Sequence, residues 1–262
     1  MSDSARLVIM RHGESTWTDR AVNRFAGWVD VPLTERGLAQ ARHAGALLKH
    51  TGLKPEVCFT SLLRRSIITA DYVLDAVNRL WVPVERTWRL NERHYGAFQG
   101  QTRPAMKERY GEELFRSYRR SYDVRPPEIS LDSPYSQRGD ARYALDDGLG
   151  GTSPSDIRSE SLSDLGARLA PWWDARVVPQ LRLGRTVLVV THGSVVRSLR
   201  MSLEGISPED IQSIDVPTGV PLIYELDVSD DSAAPVVVGG GSYLDPDAAR
   251  AGIDAVRGLG GA

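Results

Sequence analysis

Two histidines stand in the same sequence setting, each followed by glycine at the end of an apolar run. His12 lies in Arg-His-Gly-Glu-Ser at residues 11–15, and His192 lies in Thr-His-Gly-Ser at residues 191–194. Glycine after histidine allows a tight turn and a close approach of the backbone to a ligand. A lone histidine in such a place more often satisfies a hydrogen bond at a strand end, but two in the same setting favour catalysis.

A nucleophilic histidine suits phosphoryl transfer. A neutral imidazole can attack phosphorus when nearby cations keep it unprotonated and also bind the phosphate oxygens. Arg11 and Arg65 are candidates for both tasks, and Arg65 stands at the start of a predicted helix whose N-terminal amides add affinity for anions. The alternative for the pair Arg64 and Arg65 is an ordinary solvated helix face.

The segment Arg89–Gly96 concentrates polar and aromatic residues in a way that a surface loop seldom needs. Its Glu92 is a candidate proton shuttle for phosphoryl transfer to or from a substrate hydroxyl, a role worth roughly 10²- to 10⁴-fold in rate. The alternative is that Glu92 only pairs with a neighbouring arginine. Further on, Arg119 and Arg120 offer planar donors suited to a carboxylate or a phosphate, although an arginine pair alone is weak evidence.

Short apolar runs that alternate with stretches of helical spacing must position these residues. The predicted strands are Leu7–Met10, Val57–Phe59 and Thr186–Val190. Thr34 is the predicted cap of the helix after the first strand, and Thr60 with Ser61 caps the helix after the second. This alternation predicts an α/β fold with a parallel sheet covered on both faces. Ligands of such sheets bind at the carboxyl ends of the strands, where His12 and His192 lie.

We expect a single domain over residues 1–262, because no linker-like stretch divides the chain. Residues 128–160 are rich in Ser, Asp, Gly and Pro and predict a long irregular insertion over the sheet, of a kind that often forms a lid. Residues 229–262 are rich in Asp, Ala and Gly and predict a flexible, mobile tail.

Composition limits the partners. The formal net charge of −2 gives no field that would gather nucleic acid or an anionic membrane. The single cysteine, Cys58, excludes an internal disulfide framework, and the first residues lack signal-peptide features, so we expect a cytoplasmic protein. Nucleotide-binding glycine loops and metal-ligand spacings are absent from the sequence, so we expect neither a nucleotide cofactor nor a metal.

Several motifs resemble one known family. Residues 11–14, Arg-His-Gly-Glu, are similar to the signature of the histidine phosphatase superfamily. The motifs that narrow the resemblance to the cofactor-dependent phosphoglycerate mutases are residues 24–28, 58–61, 88–96, 119–123, 160–162 and 216–219. The motif at residues 91–96 and the arginine pair distinguish these mutases from general phosphatases of the superfamily.

The resemblance implies a fold and a mechanism. The implied fold is a three-layer α/β/α arrangement around a mostly parallel sheet, usually assembled as homodimers or homotetramers, with a C-terminal tail that closes over the site. The implied chemistry makes His12 a phosphohistidine primed by 2,3-bisphosphoglycerate and Glu92 the general acid and base. His192, Arg11 and Arg65 would then hold the transferring phosphoryl group. The implied contacts to the phosphorylated acid substrate are Thr18, Ala26, Gly27, Arg93, Tyr95, Arg103, Arg119, Arg120, Gly193 and Ser194.

Four positions of this binding shell depart from the family pattern. Thr18 stands where the family usually has Asn, Ala26 where it has Ser or Thr, Arg103 where it has Lys, and Ser194 where it has Asn. Only three lysines occur in the chain, so a bias toward arginine can account for Arg103. Ala26 deletes a hydroxyl that can bond the substrate, which favours a change in specificity.

The leading hypothesis is an enzyme of glycolysis and gluconeogenesis that interconverts 3-phosphoglycerate and 2-phosphoglycerate. Two alternatives keep the phosphohistidine. One is a specialised paralogue that acts on a related phosphorylated or phosphonate acid, and the other is a phosphatase in which water intercepts the intermediate. A binding or regulatory protein on an inactive scaffold is less favoured, because every residue needed for phosphoryl transfer is present.

Overall fold

One sheet forms the centre of the molecule in the computed structural model, which describes residues 4–144, 147–230 and 234–259. Within these ranges the sheet has six strands in the order β3-β2-β4-β1-β5-β6. They are β1 (Ser4–Arg11), β2 (Val57–Thr60), β3 (Val84–Arg86), β4 (Thr186–Thr191), β5 (Leu222–Asp227) and β6 (Val236–Tyr243). The strands β1 to β4 run parallel, whereas β5 is antiparallel to both β1 and β6. The predicted mostly parallel sheet is confirmed.

Helices cover both faces of this sheet. They are α1 (Glu35–His50), α2 (Arg64–Ala76), α3 (Arg103–Tyr110), α4 (Glu112–Arg120), α5 (Leu162–Trp172), α6 (Val178–Arg182), α7 (Gly193–Glu204) and α8 (Pro246–Gly258). Successive side chains of β1 point to opposite faces. Val8 and Met10 lie in an apolar cluster with α1 and α2, whereas Leu7 and Ile9 lie in one with α5 and α7. The result is the expected three-layer α/β/α arrangement.

Local sequence signals predict the start of α1 correctly but not that of α2. The Thr34 hydroxyl accepts from the Gly37 amide at 3.0 Å, which confirms the predicted cap of α1. The predicted cap of α2 is wrong, because the helix begins at Arg64 without a side-chain cap bond. The hydroxyl of Ser61 instead lies 2.8 Å from Nε2 of His192.

The insertion is irregular, as predicted, in the part of residues 128–160 that the structure describes. Its only helical pieces there are two short 3-10 turns, Ala141–Tyr143 and Pro154–Asp156. It packs against the segment that carries Glu92, since Gln137 Oε1 lies 2.6 Å from Nε2 of His94 and Asp147 pairs with Arg89 at 2.6 Å. The insertion therefore supports the segment after β3.

The segment expected to form a mobile tail contains regular structure, whereas its mobility stays a prediction. Most of its described residues form β6, which pairs with β5, and α8, whose cap Asp245 accepts from the Ala248 amide at 2.9 Å. Composition missed the strand because its valines gain stability from pairing with β5, a partner that local sequence does not reveal. Residues 231–233 and 260–262 of the segment lie outside the described residues.

Candidate active site

Adjacent strands bring the two histidines together. Arg11 at the end of β1 is in register with Thr191 at the end of β4, and the amide of His12 donates to the Thr191 carbonyl at 2.9 Å. The ring centroids of His12 and His192 lie 4.9 Å apart with an interplanar angle of 63°. Both rings are buried. The structure therefore brings the two His-Gly motifs to one edge of the sheet.

The surroundings of His12 fix its proton and its charge. Nδ1 lies 2.6 Å from the carbonyl oxygen of Gly13. Because a carbonyl can only accept, Nδ1 carries the proton and Nε2 keeps its lone pair. Burial, followed by the charges of Arg65 and Arg11, holds the pKa of His12 well below its ordinary value. The ring is therefore neutral near pH 7, and its Nε2 is unprotonated and can act as a nucleophile.

Arg65 holds a fixed charge beside this nitrogen. Its Nη1 and Nη2 donate to the carbonyls of Val29 at 2.8 Å and Gly27 at 2.7 Å, while its Nε donates to Nε2 of His12 at 3.2 Å. Burial lowers the pKa of Arg65 to about 10, so it remains a cation at neutral pH. Its position suits the oxygens of a phosphoryl group on His12.

Two buried nitrogen atoms near His12 have no hydrogen-bond partner among the described residues. Arg11 donates from Nη1 to the Val216 carbonyl at 3.0 Å, but its Nε is unpartnered. Nδ1 of His192 is also unpartnered, and burial, followed by the charge of Arg65, holds the pKa of His192 well below its ordinary value. Unpaired buried polar atoms cost free energy, so they indicate a place for a polar ligand group.

Glu92 faces the same cavity as His12. Its Oε1 accepts from the amides of Arg93 at 2.7 Å and Ser194 at 3.2 Å, and only 9% of the residue is exposed. No ion pair joins Glu92 to an arginine within the described part of the chain; Arg93 instead donates to main-chain carbonyls. The carboxylate is therefore not occupied by the simple pairing that was the alternative.

The cavity around these groups is strongly cationic. It is lined by six arginines, Arg11, Arg65, Arg103, Arg119, Arg120 and Arg197, and by two carboxylates, Glu92 and Asp215. Asp215 pairs with Arg120 at 2.5 Å. Burial lowers the pKa of Arg103 to about 10 and that of Arg119 to about 9, so both remain charged near pH 7. A small polyanion would relieve the mutual repulsion of these arginines and satisfy their donors.

Most of the predicted substrate contacts lie in this cavity wall. They are Thr18, Ala26, Gly27, Tyr95, Arg103, Arg119, Arg120, Gly193 and Ser194. Arg93 is not among the residues that line the cavity: its Nη1 and Nη2 donate to the carbonyls of Tyr118, Arg119 and Glu160, and its contact with the substrate stays a prediction. Its guanidinium lies 4.6 Å from the ring centroid of Tyr95, so Arg93 supports the wall from behind.

All four departures from the family pattern alter this wall. Thr18 accepts from the Ser15 amide at 2.8 Å, and Arg103 donates to the side chain of Asn23 at 2.8 Å. The hydroxyl of Ser194 lies 3.4 Å from that of Tyr95. Ala26 has no polar side-chain atom to offer. The changes therefore fall where a substrate would be recognised.

Sequence reasoning missed part of the wall. Arg197 follows Gly193 by one helical turn on α7, so helical spacing could have placed both on one face. Asp215 and Val256 carry no local signal, because they come from distant segments. Arg257, next to Val256 on α8, pairs with Asp215 at 3.3 Å and so brings the end of this helix to the cavity.

The described residues hold neither a metal site nor a membrane-spanning helix. No group of three or more His, Cys, Asp or Glu side chains is arranged there to hold a metal ion. Among the described helices, none is long and apolar enough to cross a membrane.

Comparison with known proteins agrees with this geometry. The profile of the "Histidine phosphatase superfamily (branch 1)" matches residues 7–147 and 135–237. The 2,3-bisphosphoglycerate-dependent phosphoglycerate mutase of Corynebacterium kroppenstedtii is 48% identical over 257 residues, which cover 98% of each chain. The mutase of the same name from Mycobacterium tuberculosis is 49% identical over 260 residues, which cover 99% of each chain. The chain belongs to the histidine phosphatase superfamily and, within it, to the cofactor-dependent phosphoglycerate mutase family.

Solved structures of other histidine phosphatases share the fold at low sequence identity. A phosphoglycerate mutase from Bacillus anthracis matches with a TM-score of 0.63 and 20% identity, over 96% of this chain and 97% of that one. A mycobacterial glucosyl-3-phosphoglycerate phosphatase matches with a TM-score of 0.64 and 23% identity, over 89% of this chain and 97% of that one. At such identities the likeness concerns the histidine phosphatase fold alone.

Proposed function

We propose that this protein is a phosphoglycerate mutase of glycolysis and gluconeogenesis, which interconverts 3-phosphoglycerate and 2-phosphoglycerate through a phosphohistidine on His12. The observation that carries the proposal is the neutral His12, whose unprotonated Nε2 accepts from Arg65 in a cavity that Glu92 also lines. The names of the full-length relatives at 48% and 49% identity support the same substrates.

The first half of the reaction loads the enzyme. The Nε2 lone pair of His12 attacks phosphorus, and the bond from phosphorus to the donor oxygen breaks. Glu92, in its protonated form, gives its proton to the departing oxygen. Arg11, Arg65 and His192 bind the oxygens of the transferring group, whose charge must be compensated in the transition state.

The second half transfers the phosphoryl group from His12 to the free C2 hydroxyl of 3-phosphoglycerate. This hydroxyl gives its proton to the Glu92 carboxylate as its oxygen attacks phosphorus, and the bond from phosphorus to Nε2 of His12 breaks. The 2,3-bisphosphoglycerate that forms reloads His12 from its C3 phosphate, so that 2-phosphoglycerate is released. Both residues end in their starting protonation states. The arrangement lets one carboxylate serve as acid and then as base.

The priming compound is 2,3-bisphosphoglycerate, and when bound it supplies the phosphoryl group that His12 takes up. The cavity suits it chemically, because six arginines face only two carboxylates and the buried Nε atoms of Arg11 and Arg197 lack partners among the described residues. Arg103, Arg119 and Arg120 would hold the carboxylate and the second phosphate. Assembly as a homodimer or homotetramer and a cytoplasmic location stay predictions.

A phosphorus NMR time course tests the proposal. Purified protein is mixed with 3-phosphoglycerate and a trace of 2,3-bisphosphoglycerate, with His12→Ala as the control. We expect 2-phosphoglycerate to reach equilibrium at tens of turnovers per second or faster, within the ordinary range for enzymes, and no reaction in the control. Release of inorganic phosphate at a comparable rate would instead indicate a phosphatase.

A second candidate is a specialised paralogue that acts on a related phosphorylated or phosphonate acid. The observation that favours it is that Thr18, Ala26, Arg103 and Ser194 all line the cavity. The test restores the family residues together, in the variant Thr18→Asn, Ala26→Ser, Arg103→Lys, Ser194→Asn. For a glycolytic mutase we expect kcat/KM for 3-phosphoglycerate to change by less than about tenfold, which is about 1.4 kcal/mol. A larger gain would support the paralogue.

A further inference from the structure

The segment of residues 88–94, which carries Glu92, has little regular structure of its own. Only Trp88–Leu90 forms a 3-10 turn. Main-chain carbonyls outside helices and sheets need donors from elsewhere when they are buried. Four of its carbonyls accept from one residue of α5, Arg168. Trp28 Nε1 also donates to the Glu92 carbonyl at 2.5 Å, and the Thr191 hydroxyl donates to that of Leu90 at 2.8 Å.

The guanidinium of Arg168 donates hydrogen bonds to four carbonyls of this segment. Nη1 donates to the carbonyls of Trp88 at 3.3 Å and Arg89 at 2.5 Å. Nη2 donates to those of Asn91 at 2.9 Å and Glu92 at 3.1 Å. Arg168 thus binds the main chain of Glu92 itself and of the residues before it.

Glu160 holds Arg168 in this position. Its carboxylate accepts from Nε and Nη2 of Arg168 at 2.6 and 3.1 Å, and both side chains are buried. Oε2 of Glu160 also accepts from the amide of His94 at 2.8 Å. Arg168 and Glu160 together therefore bind the main chain before and after Glu92. A lysine at position 168 can keep the ion pair, but it lacks the planar fork that reaches several carbonyls at once.

We propose that Arg168 is a positioning residue for Glu92 and sets the carboxylate in the place that proton transfer requires. Arg168 does not line the cavity, so it does not contact the substrate and acts through the segment that carries Glu92. The inference rests on the proposed role of Glu92 as acid and base. An alkoxide that leaves phosphorus needs a proton, whereas acetate leaves as a stable anion. A misplaced Glu92 therefore slows transfer from 2,3-bisphosphoglycerate and spares transfer from acetyl phosphate.

The experiment measures the rate of phosphohistidine formation on His12 with these two donors. The variants are Arg168→Lys, Glu92→Gln as the reference for a lost proton donor, and Arg200→Lys as a matched control. Arg200 on α7 also donates from Nε and Nη2 to a glutamate, Glu204, at 2.9 Å for both bonds. Neither Arg200 nor Glu204 belongs to the Glu92 segment.

For Arg168→Lys we expect the rate of phosphohistidine formation from 2,3-bisphosphoglycerate to fall about 10- to 100-fold. This is part of the roughly 10²- to 10⁴-fold effect of a general acid. The rate with acetyl phosphate should change by less than about threefold, since its leaving group needs no proton. Arg200→Lys should leave the ratio of the two rates unchanged. If Arg168→Lys slows phosphohistidine formation equally with both donors, or with neither, Arg168 is not a positioning residue for Glu92.

The reference variant separates this inference from the proposed function. If Glu92→Gln slows both donors equally, Glu92 is not the acid, and the inference fails together with that role. If Arg168→Lys does not fold, Glu160→Gln takes its place, because it weakens the hold on Arg168 while keeping the size of the side chain. In Glu160→Gln we expect a smaller fall in the rate of phosphohistidine formation, confined to 2,3-bisphosphoglycerate. An equal fall in rate with both donors overturns the proposal.

Discussion

At the scale of single residues, the proposed chemistry depends on one unprotonated nitrogen. The Gly13 carbonyl keeps the proton of His12 on Nδ1, and burial with the charges of Arg65 and Arg11 keeps the ring neutral. The same two cations lie where phosphoryl oxygens would bind. One arrangement thus prepares the nucleophile and stabilises the group that it accepts.

Replacing Arg65 should change the titration of His12. In Arg65→Gln the pKa of His12 should rise, because a cation that disfavours the imidazolium is removed while burial remains. Protonation then blocks the nucleophile at a higher pH than in the wild type. Nitrogen NMR of the labelled imidazole over a range of pH measures the shift.

Arg65→Lys is the matched control because it keeps the positive charge but lacks the planar guanidinium. Its His12 should titrate closer to the wild type than that of Arg65→Gln. An equal pKa in the two variants, or no shift in either, would show that the charge of Arg65 is not what lowers the pKa of His12.

At the scale of elements, the loop that carries His12 lies directly against the start of α1. A Cβ on Gly13 would come within 2.2 Å of the Gly37 carbonyl oxygen, and a Cβ on Gly37 within 2.0 Å of the Glu14 carbonyl oxygen. Both neighbours are backbone atoms and cannot rotate away. Glycine at both positions therefore allows the close contact between the loop and the helix.

Gly37→Ala should destabilise the protein by about 1–3 kcal/mol, the ordinary cost of overpacking, and lower the turnover because the His12 loop must move. Urea unfolding and the isomerisation rate measure the two effects. Gly166→Ala in α5 is the control, since its nearest neighbour, the Ser198 hydroxyl at 3.3 Å, is a movable side chain. A Gly37→Ala variant as stable as the control would contradict the account.

Elements with strong local signals were predictable from the sequence, and those without were not. Leu7–Met10 and the cap Thr34 are local patterns, and the structure confirms both. The expected cap at Ser61 fails because its hydroxyl lies in contact with His192, far away in the chain. The strand β6 was missed because its stability comes from pairing with β5.

At the scale of the whole molecule, the local charge of the cavity differs from the overall charge. The chain has a formal net charge of −2, yet six arginines line one cavity. The sequence motifs identified most of the residues that line this cavity, because these motifs lie where strands end and helices begin. Asp215 and Val256 could not be predicted, since only the folded chain brings their segments to the cavity.

Trapping the phosphorylated enzyme tests the central claim most directly. The protein is mixed with 2,3-bisphosphoglycerate, quenched in base and analysed by peptide mass spectrometry, with His12→Ala as the control. We predict phosphate on His12 and none in the control. When the phosphorylated enzyme is freed of 2,3-bisphosphoglycerate and mixed with 3-phosphoglycerate whose phosphate carries heavy oxygen, the heavy phosphate should appear on His12. An unphosphorylated His12, or a phosphate on His12 that does not exchange, would contradict the phosphohistidine mechanism.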